Sequence, residues 1–360
     1  MKATILVILA FSILSCSDSD SSTLGTISND NSYEIINEPS YNDLISNIGE
    51  EKLALGVEEP NSAGALGRNK DSYFHVRFQV NMNSLSDYVV VSERYDALQH
   101  LMNTIQYAFD KQLAEGDFEF SPPEELLNAA DYSPPVTGDL ESGTAFFASS
   151  LGVALISLQN SAWFNTSQET QEIKEQLGSL NPAFEKTLDY LLSKKNVLQQ
   201  YDAIAPNRLL FDALAYYALG SYLSRPDAQE VAFEFIESAL NLIDPQEGYF
   251  IEGGGWDSSY NGVAIKLAME LFALVDDESQ KDRLNEAILS ATTWQMGRIK
   301  ENGEVTTEGN TRVYEGGELF LGAEKGVDYV KIVRAFYYFG TLTNAQEVID
   351  LGDKVLDFYD

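Results

Sequence analysis

Residues 207–224 read NRLLFDALAYYALGSYLS, and apolar side chains recur in this stretch three and four residues apart. That spacing places them on one face of an α-helix, where they can be buried together. Pro226 follows directly and separates this helix from the next one. The apolar face consists of Leu209, Leu210, Ala213, Leu214 and Tyr217.

The same period extends to both sides and predicts an all-α fold from about residue 93 onward. The predicted helices are 93–114, 143–161, 182–200, 207–224, 227–243, 260–275, 282–299, 328–340 and 344–359. If successive helices lie antiparallel, alternate connections meet at opposite ends of the array. We call one end the rim; its connections are 115–142, 201–206, 244–259 and 300–327. Three of them are long, and long loops on a rigid scaffold commonly carry function.

The N-terminal residues have the composition of a targeting segment. Lys2 precedes an apolar run that is too short to span a bilayer comfortably. The run ends in Ile-Leu-Ser-Cys16, which resembles a bacterial lipobox and contains the single cysteine of the chain. We therefore expect a lipoprotein signal peptide at 1–15, acylation of Cys16, and lipid anchoring to a membrane of the bacterial cell envelope. Residues 16–42, rich in Ser, Asp and Asn, are predicted to form an acylated flexible tether.

Residues 43–92 have an ambiguous pattern. The alternation at 73–80 and the β-branched residues at 88–91 favour strands. We therefore predict an irregular segment with minor β structure at 43–92, followed by a catalytic domain at 93–360.

The charge of the chain excludes one class of partner. The formal net charge is −33, whereas nucleic acid needs a basic surface. We interpret the acidity as an adaptation for solubility in a salty medium. Because the negative surface would repel an anionic substrate, such a substrate would need a locally positive pocket. The two histidines are far apart, and no metal-ligand spacing or nucleotide-binding motif occurs, so we expect no cofactor and no metal.

The second long rim loop contains the densest polar and aromatic cluster, EGGGWDSSYN at 252–261. Three glycines follow an acid and precede an aromatic ring that can stack on a sugar. The alternatives are that the tryptophan is core, that the aspartate caps the next helix and that the tyrosine packs. Its candidate site residues are Glu252, Trp256, Asp257, Tyr260 and Asn261.

Two further rim segments carry groups that suit an anionic substrate. Asn207 and Arg208 open a helix, where backbone amides favour anions. Asn310 and Arg312 alternate as they would on one face of a short strand. Arg312 can hold a carboxylate or sulfate through two hydrogen bonds, and the alternative is an ion pair with a nearby glutamate, Glu308 or Glu315.

These motifs together resemble a known group of proteins. APNR at 205–208, GYFIEGGGWDSSY at 248–260 and GNTR at 309–312 are similar to segments of α/α-toroid proteins that process acidic polysaccharides, namely polysaccharide lyases and unsaturated-uronyl hydrolases. The resemblance covers about residues 93–360. It implies an α/α toroid, a helical hairpin array forming an incomplete barrel, with minor β structure in the rim loops. Such proteins are often surface lipoproteins of Bacteroidota-type polysaccharide utilisation systems, and no histidine occurs in the motifs here.

The resemblance implies a lyase that acts by β-elimination on uronate-containing poly- or oligosaccharides of algal type, including dehydration of unsaturated uronyl ends. The expected catalytic residues are Tyr260, Asn207, Arg312, Asp257 and Glu252. Tyr260 would act as acid, base or both if nearby cations lower its pKa. The expected substrate-binding residues are Arg208, Trp256, Asn261 and Asn310.

Two alternatives remain open from the sequence. The first is hydrolysis of a glycosidic bond by the paired carboxylates of Glu252 and Asp257. The second is a non-catalytic lipoprotein that binds glycans at the cell surface. The first would yield a new reducing end without a new double bond, and the second would give affinity without any product.

Overall fold

The computed structural model describes residues 33–67, 70–128, 135–320 and 323–360, and these residues are mostly helical. The helices are α1 (Tyr41–Ile48), α2 (Glu50–Ala54), α3 (Met82–Ser92), α4 (Tyr95–Phe109), α5 (Glu124–Leu127), α6 (Asp139–Asn160), α7 (Ala162–Thr166), α8 (Gln171–Ser179), α9 (Asn181–Tyr201), α10 (Pro206–Tyr222), α11 (Pro226–Leu240), α12 (Ser258–Leu274), α13 (Glu278–Met296), α14 (Tyr329–Thr343) and α15 (Gln346–Tyr359). A 3₁₀ helix covers Val76–Asn81. The all-α class is confirmed, and each helix predicted from the sequence is present with shifted ends.

Short β elements occur in the rim loops, as predicted. β1 (Leu319–Phe320) pairs antiparallel with β2 (Ala323–Glu324). Isolated bridges close the turns at Ile243–Phe250, Glu252–Gly255 and Ile299–Val305. These pairings give the long loops a defined shape on top of the helical scaffold.

The segment 43–92 is helical in α1, α2, the 3₁₀ helix and α3, so the prediction of irregular and minor β structure was wrong for those parts. Residues 55–67 and 70–75 contain no helix, and His75 forms an isolated bridge with Phe120. The strand-like run 73–80 leads into the 3₁₀ helix, and the β-branched run 88–91 lies within α3. Val89 and Val90 are buried in the core, which outweighs their weak preference for strands.

The described part of the predicted tether packs against the helical domain. The backbone amides of Ile36 and Asn37 donate to the carbonyl of Leu342 at 3.1 and 3.2 Å. Tyr41, the first residue of α1, is 2% exposed and belongs to the hydrophobic core. The core therefore begins near Tyr41 instead of at residue 93. The predicted signal peptide and Cys16 lie outside the described residues.

The helices form two layers. Each inner helix packs on an outer one that follows it in the chain: α3 on α4, α6 on α9, α10 on α11, α12 on α13 and α14 on α15. The inner helices also pack on one another, in the order α3, α6, α10, α12 and α14. The inner layer is the more buried one: from Ser258 to Phe272, every residue of α12 except Tyr260 is buried.

Helix α6 illustrates the same burial. Within the described residues it is the helix that is long and apolar enough to cross a membrane, by length and composition alone. Yet 78% of its most apolar window is buried inside the protein. Its apolar character is therefore that of a core helix.

Candidate functional site

Asp257 joins two rim loops. Its carboxylate is fully buried, and Oδ1 accepts hydrogen bonds from the amides of Ser259 and Tyr260 at 3.0 and 3.1 Å, which caps α12. Oδ2 accepts from the amides of Arg312 and Val313 at 3.0 and 2.8 Å. Both oxygens are thus engaged by backbone donors. The capping alternative describes Asp257, and the geometry does not support a catalytic role for it.

Two predicted substrate-binding asparagines also hold the loops. Asn310 is 7% exposed; its Oδ1 accepts from the amide of Ser258 at 2.9 Å, and its Nδ2 donates to the carbonyl of Val313 at 2.8 Å. Asn261 is 1% exposed, and its Oδ1 accepts from the amide of Phe250 at 3.0 Å. Since these groups are buried and used internally, neither asparagine is positioned to bind substrate.

Trp256 is half-buried, and its ring already has neighbours. The guanidinium of Arg298 lies 4.3 Å from the ring centroid, and Trp294 packs edge-on at 5.6 Å. Arg298 therefore covers one face of the ring that was predicted to stack on a sugar. Arg298 and Trp294 also line an open groove of about 1070 Å³ on the outer layer.

Five residues at the rim form one hydrogen-bonded group, which we call the rim cluster: Glu252, Tyr260, Arg312, Glu318 and Lys325. Lys325 Nζ donates to the Tyr260 hydroxyl at 2.7 Å and to Glu318 Oε1 at 2.6 Å. Arg312 Nε donates to Glu318 Oε2 at 2.7 Å, and its Nη1 pairs with Glu252. The Arg312 guanidinium also lies 4.2 Å from the centre of the Tyr260 ring. The second and third long loops therefore meet at this tyrosine.

Accessibility divides the rim cluster into an outer and an inner part. The side chains of Arg312, Lys325 and Glu318 are 22%, 23% and 29% exposed, whereas Glu252 is 3% exposed. An ion pair of Arg312 was one of the expected alternatives, but the partners are Glu252 and Glu318, not the glutamates nearest in sequence. The expected strand at Asn310 and Arg312 is absent, because turns and bends occupy this part of the loop.

Burial and neighbouring charges shift the pKa values of the rim cluster in opposite directions. Burial raises the pKa of Tyr260 above its usual value, and the nearby charge of Arg312 offsets only part of this effect. The expectation that cations lower this pKa is therefore wrong in its net direction, and the phenol stays protonated at neutral pH. Burial likewise raises the pKa of Glu252 against the charge of Arg312. The pKa of Glu318 is lowered, since its bonds to Arg312 and Lys325 outweigh its burial.

The predicted pair Asn207 and Arg208 lies at the start of α10. Asn207 is 5% exposed, and its Oδ1 has no hydrogen-bond partner among the described residues. Arg208 is half-buried; its Nη1 pairs with Asp202 Oδ1 at 3.2 Å, and its guanidinium lies 5.3 Å from the ring of Tyr201. Burial raises the pKa of Glu252, and the positive charge of Arg208 is one of the charges that oppose this effect. Arg208 therefore interacts electrostatically with the rim cluster.

Sequence reasoning missed several members of this region. Lys325 and Glu318 lie in the third long loop, but nothing in their local sequence marks them as partners of a tyrosine 58 or more positions earlier. Arg77 pairs with Asp139 through Nη2 and Oδ1 at 3.3 Å, and its charge acts on that of Arg208. Arg77 belongs to the segment that was predicted to be irregular. Only tertiary packing brings these groups together.

Comparison with known proteins adds no assignment. No family model matches the chain, and no curated protein sequence matches it significantly. Among the residues that the structure describes, no group of three or more His, Cys, Asp or Glu side chains is arranged to hold a metal ion. The function therefore has to be argued from the chemistry of the rim.

Proposed function

We propose that the two helical layers close into an α/α toroid. The inner helices follow one another from α3 to α14, and α1 touches both of these end members. An ion pair between Asp87 of α3 and Arg334 of α14, with Nη1 and Oδ2 2.8 Å apart, links the first inner helix to the last. In this arrangement the long connections of the chain gather at one end of the ring.

We further propose that the rim binds acidic poly- or oligosaccharides of the uronate class and cleaves them by β-elimination. One observation carries this proposal: a partly buried tyrosine has its hydroxyl bonded to a lysine and its ring beneath an arginine. These groups, Tyr260, Lys325 and Arg312, supply the phenol and the cations that elimination at a uronate needs. Within the rim cluster the charges of Arg312 and Lys325 are balanced by Glu252 and Glu318.

The chemistry assigns a role to each group. Elimination removes the proton at C5 of the uronate and expels the oxygen at C4, so the substrate carboxylate must first be neutralised. Arg312 and Arg208 are the partly exposed cations for that task. Tyr260, which is protonated at neutral pH, donates its proton to the leaving oxygen, and Lys325 then stabilises the phenolate. Glu318, whose lowered pKa keeps it ionised, is the neighbouring group that can receive the C5 proton.

The test compares Tyr260→Phe with Tyr314→Phe, a control at an exposed position of the third long rim loop. Each protein is incubated with uronate oligosaccharides, and products are read by ultraviolet absorbance and mass. Elimination creates a double bond without a change in total mass, hydrolysis adds water, and dehydration of an unsaturated end removes water. We expect Tyr260→Phe to lose roughly 10²–10⁴-fold in rate and to keep its affinity, while the control behaves as wild type. Full activity in Tyr260→Phe would remove the tyrosine from the reaction.

The two alternatives differ in their support. Hydrolysis by Glu252 and Asp257 is disfavoured, because both carboxylates are buried and Asp257 has both oxygens bonded to backbone amides. Non-catalytic glycan binding is favoured by the two ion pairs of Arg312, with Glu252 and Glu318. They hold the guanidinium in a fixed position, which suits the binding of a ligand and requires no reaction. Saturable binding without product, in the same assay, would establish that alternative.

The cellular location is a proposal from the sequence alone. We propose that acylation of Cys16 anchors the protein to a membrane of the bacterial cell envelope, where it meets extracellular glycans. Labelled palmitate should be incorporated into the wild-type protein in cells and should be absent from Cys16→Ser. Equal labelling of both would show that Cys16 is not the anchor.

A further inference from the structure

Two aspartates near the start of α10 are completely buried. Asp202 follows α9, Asp212 lies within α10, and both residues are 0% exposed. Asp202 Oδ1 accepts a hydrogen bond from Arg208 Nη1 at 3.2 Å. No donor among the described residues bonds to Asp202 Oδ2 or to either oxygen of Asp212. The proposed reaction uses neither aspartate.

The fold brings the two carboxyl groups together. Asp212 lies four residues after Arg208, so the two side chains are on the same face of α10. Arg208 in turn pairs with Asp202, and a hydrogen bond links the carboxyl groups of Asp202 and Asp212. Two ionised carboxylates cannot bond to each other, because each of them only accepts. The pair of aspartates therefore shares a proton.

Asp212 is the partner that carries this proton. An ionised carboxylate that is fully buried and has no cationic partner is very unfavourable, whereas Asp202 has the guanidinium of Arg208 beside it. Burial raises the pKa of Asp212 well above its usual value, the charge of Asp202 raises it further, and Arg208 opposes both effects. Burial raises the pKa of Asp202 as well, but the charge of Arg208 and its hydrogen bond counteract this rise. Asp202 therefore keeps the negative charge.

The proton balances the charges around Arg208. Arg77 is the second guanidinium of this group, and it pairs with Asp139. When Asp212 is neutral, the two arginines are matched by two carboxylates, those of Asp139 and Asp202. A third carboxylate would make the group negative and would repel an anion that approaches Arg208.

The proton also limits the contact between Asp202 and Arg208. An arginine and a carboxylate often form two parallel hydrogen bonds. Here one bond is formed, through Asp202 Oδ1, and Oδ2 is the oxygen that remains for the proton of Asp212. The Arg208 side chain is 21% exposed, so part of its guanidinium stays accessible to a ligand.

We propose that Asp212 is a positioning residue for Arg208: it donates a hydrogen bond to Asp202 and so restricts Asp202 to one bond with the guanidinium. Without this donor, Asp202 can hold Arg208 through both oxygens and draw it inward. The inference rests on the proposed function, because Arg208 is assigned there to the substrate carboxylate. The proton on Asp212 and the bond between Asp202 and Arg208 exist without substrate, so both can be tested separately.

The first experiment observes the proton in the wild-type protein. Aspartate is labelled with a carbon isotope, the carboxyl carbons are recorded by NMR at neutral pH, and Asp212→Asn identifies the resonance of Asp212. We expect the chemical shift of a protonated carboxyl group. A shift typical of an ionised carboxylate would overturn the proposal.

Two variants separate the hydrogen-bond donor from the charge. Asp212→Asn has no charge and keeps a donor on a side chain of nearly the same shape, whereas Asp212→Leu has no donor. Crystal structures without ligand should show one bond between Asp202 and Arg208 in wild type and in Asp212→Asn, and two bonds in Asp212→Leu. A single, unchanged bond in Asp212→Leu would overturn the proposal. Circular dichroism and the unfolding midpoint establish that each variant is folded.

Affinity for a uronate trimer tests the effect on a ligand. Calorimetry is performed with each variant combined with Tyr260→Phe, which prevents turnover. We expect Asp212→Asn to bind as its parent does and Asp212→Leu to lose about tenfold in affinity. In an Arg208→Met background, Asp212→Leu should cause no further loss, because it acts only through Arg208. Equal losses in Asp212→Asn and Asp212→Leu, or the same loss without Arg208, would overturn the proposal.

These results distinguish a failure of this proposal from a failure of the proposed function. If the parent does not bind the trimer at millimolar concentration, the proposed function fails, and the NMR and ligand-free structures still decide whether Asp212 positions Arg208. If the parent binds the trimer and Asp212 is ionised, the proposed function stands and the role of Asp212 is refuted.

Discussion

Replacing Arg312 by methionine should lower the free energy of unfolding, mainly because Glu252 loses its ion-pair partner. The loss of the contact with Glu318 should contribute less. The Glu252 side chain is 3% exposed, and its Oε2 already has no partner among the described residues, so the loss of Arg312 leaves the whole carboxylate buried and unpaired. Removing one partner of a buried pair typically costs about 3–5 kcal/mol. Glu318 is 29% exposed and keeps Lys325, so that half contributes less than about 1 kcal/mol. Since Arg312 is itself 22% exposed, we expect a total near the lower limit, about 3 kcal/mol.

A double-mutant cycle isolates the buried half of this interaction. The free energy of unfolding is measured in urea for wild type, Arg312→Met, Glu252→Gln and the double variant. We expect a coupling energy of about 2 kcal/mol, because glutamine can stay buried without a charge. Arg225 with Asp227, an exposed pair at the start of α11, is the control and should give less than about 1 kcal/mol. A coupling energy no larger than that of the control would refute the reasoning.

The same variant should respond to pH. Burial raises the pKa of Glu252, and removing Arg312 takes away the main opposing charge, so the pKa rises further. A carboxylate whose pKa is higher in the folded state than in the unfolded state costs stability as pH rises through that interval. The deficit of Arg312→Met relative to wild type should therefore be largest at neutral pH and shrink as the solution is acidified. A deficit that does not change with pH would contradict this assignment.

Two further predictions concern the loop and the core. Gly309 has φ +84°, and a Cβ at this position would lie 2.4 Å from Trp256 Cζ2. Gly309→Ala should therefore lower the free energy of unfolding by at least about 2 kcal/mol and change the tryptophan fluorescence. The control Gly178→Ala, whose Cβ would have no atom within 4 Å, should change neither quantity. Burial raises the pKa of Asp87 from 3.8 to about 6 despite its arginine partner, so ionisation of Asp87 costs stability as pH rises from about 4 to about 6. Across that range Asp87→Asn should gain stability relative to wild type, by about 3 kcal/mol at most; a constant difference would show that Asp87 is ionised throughout.

The helical array was predictable because its signal is local. Leu209, Leu210 and Leu214 recur at helical spacing, and the structure buries all three in α10. Residues 88–91 gave the opposite signal, since Tyr88 and the valines after it favour a strand in isolation. Their helical conformation in α3 depends on packing against other helices, which the local sequence does not encode.

The location of the candidate site was more predictable than the role of each residue. Tyr260 and Arg312 were both expected, and they are in contact. Asp257 and Asn310 were expected to meet substrate, but both are buried and hold backbone amides. A polar side chain that organises a loop has the same sequence signature as one that faces a ligand. Burial separates the two classes, and burial depends on the tertiary fold.

The most direct test of a carbohydrate site at the rim is a crystal structure of Tyr260→Phe with a uronate oligosaccharide. The account predicts a substrate carboxylate within ion-pair distance of Arg312 or Arg208, and the glycosidic oxygen at C4 next to the ring of residue 260. A sugar bound only in the outer groove beside Trp294 and Arg298, with the rim cluster unchanged and empty, would contradict it.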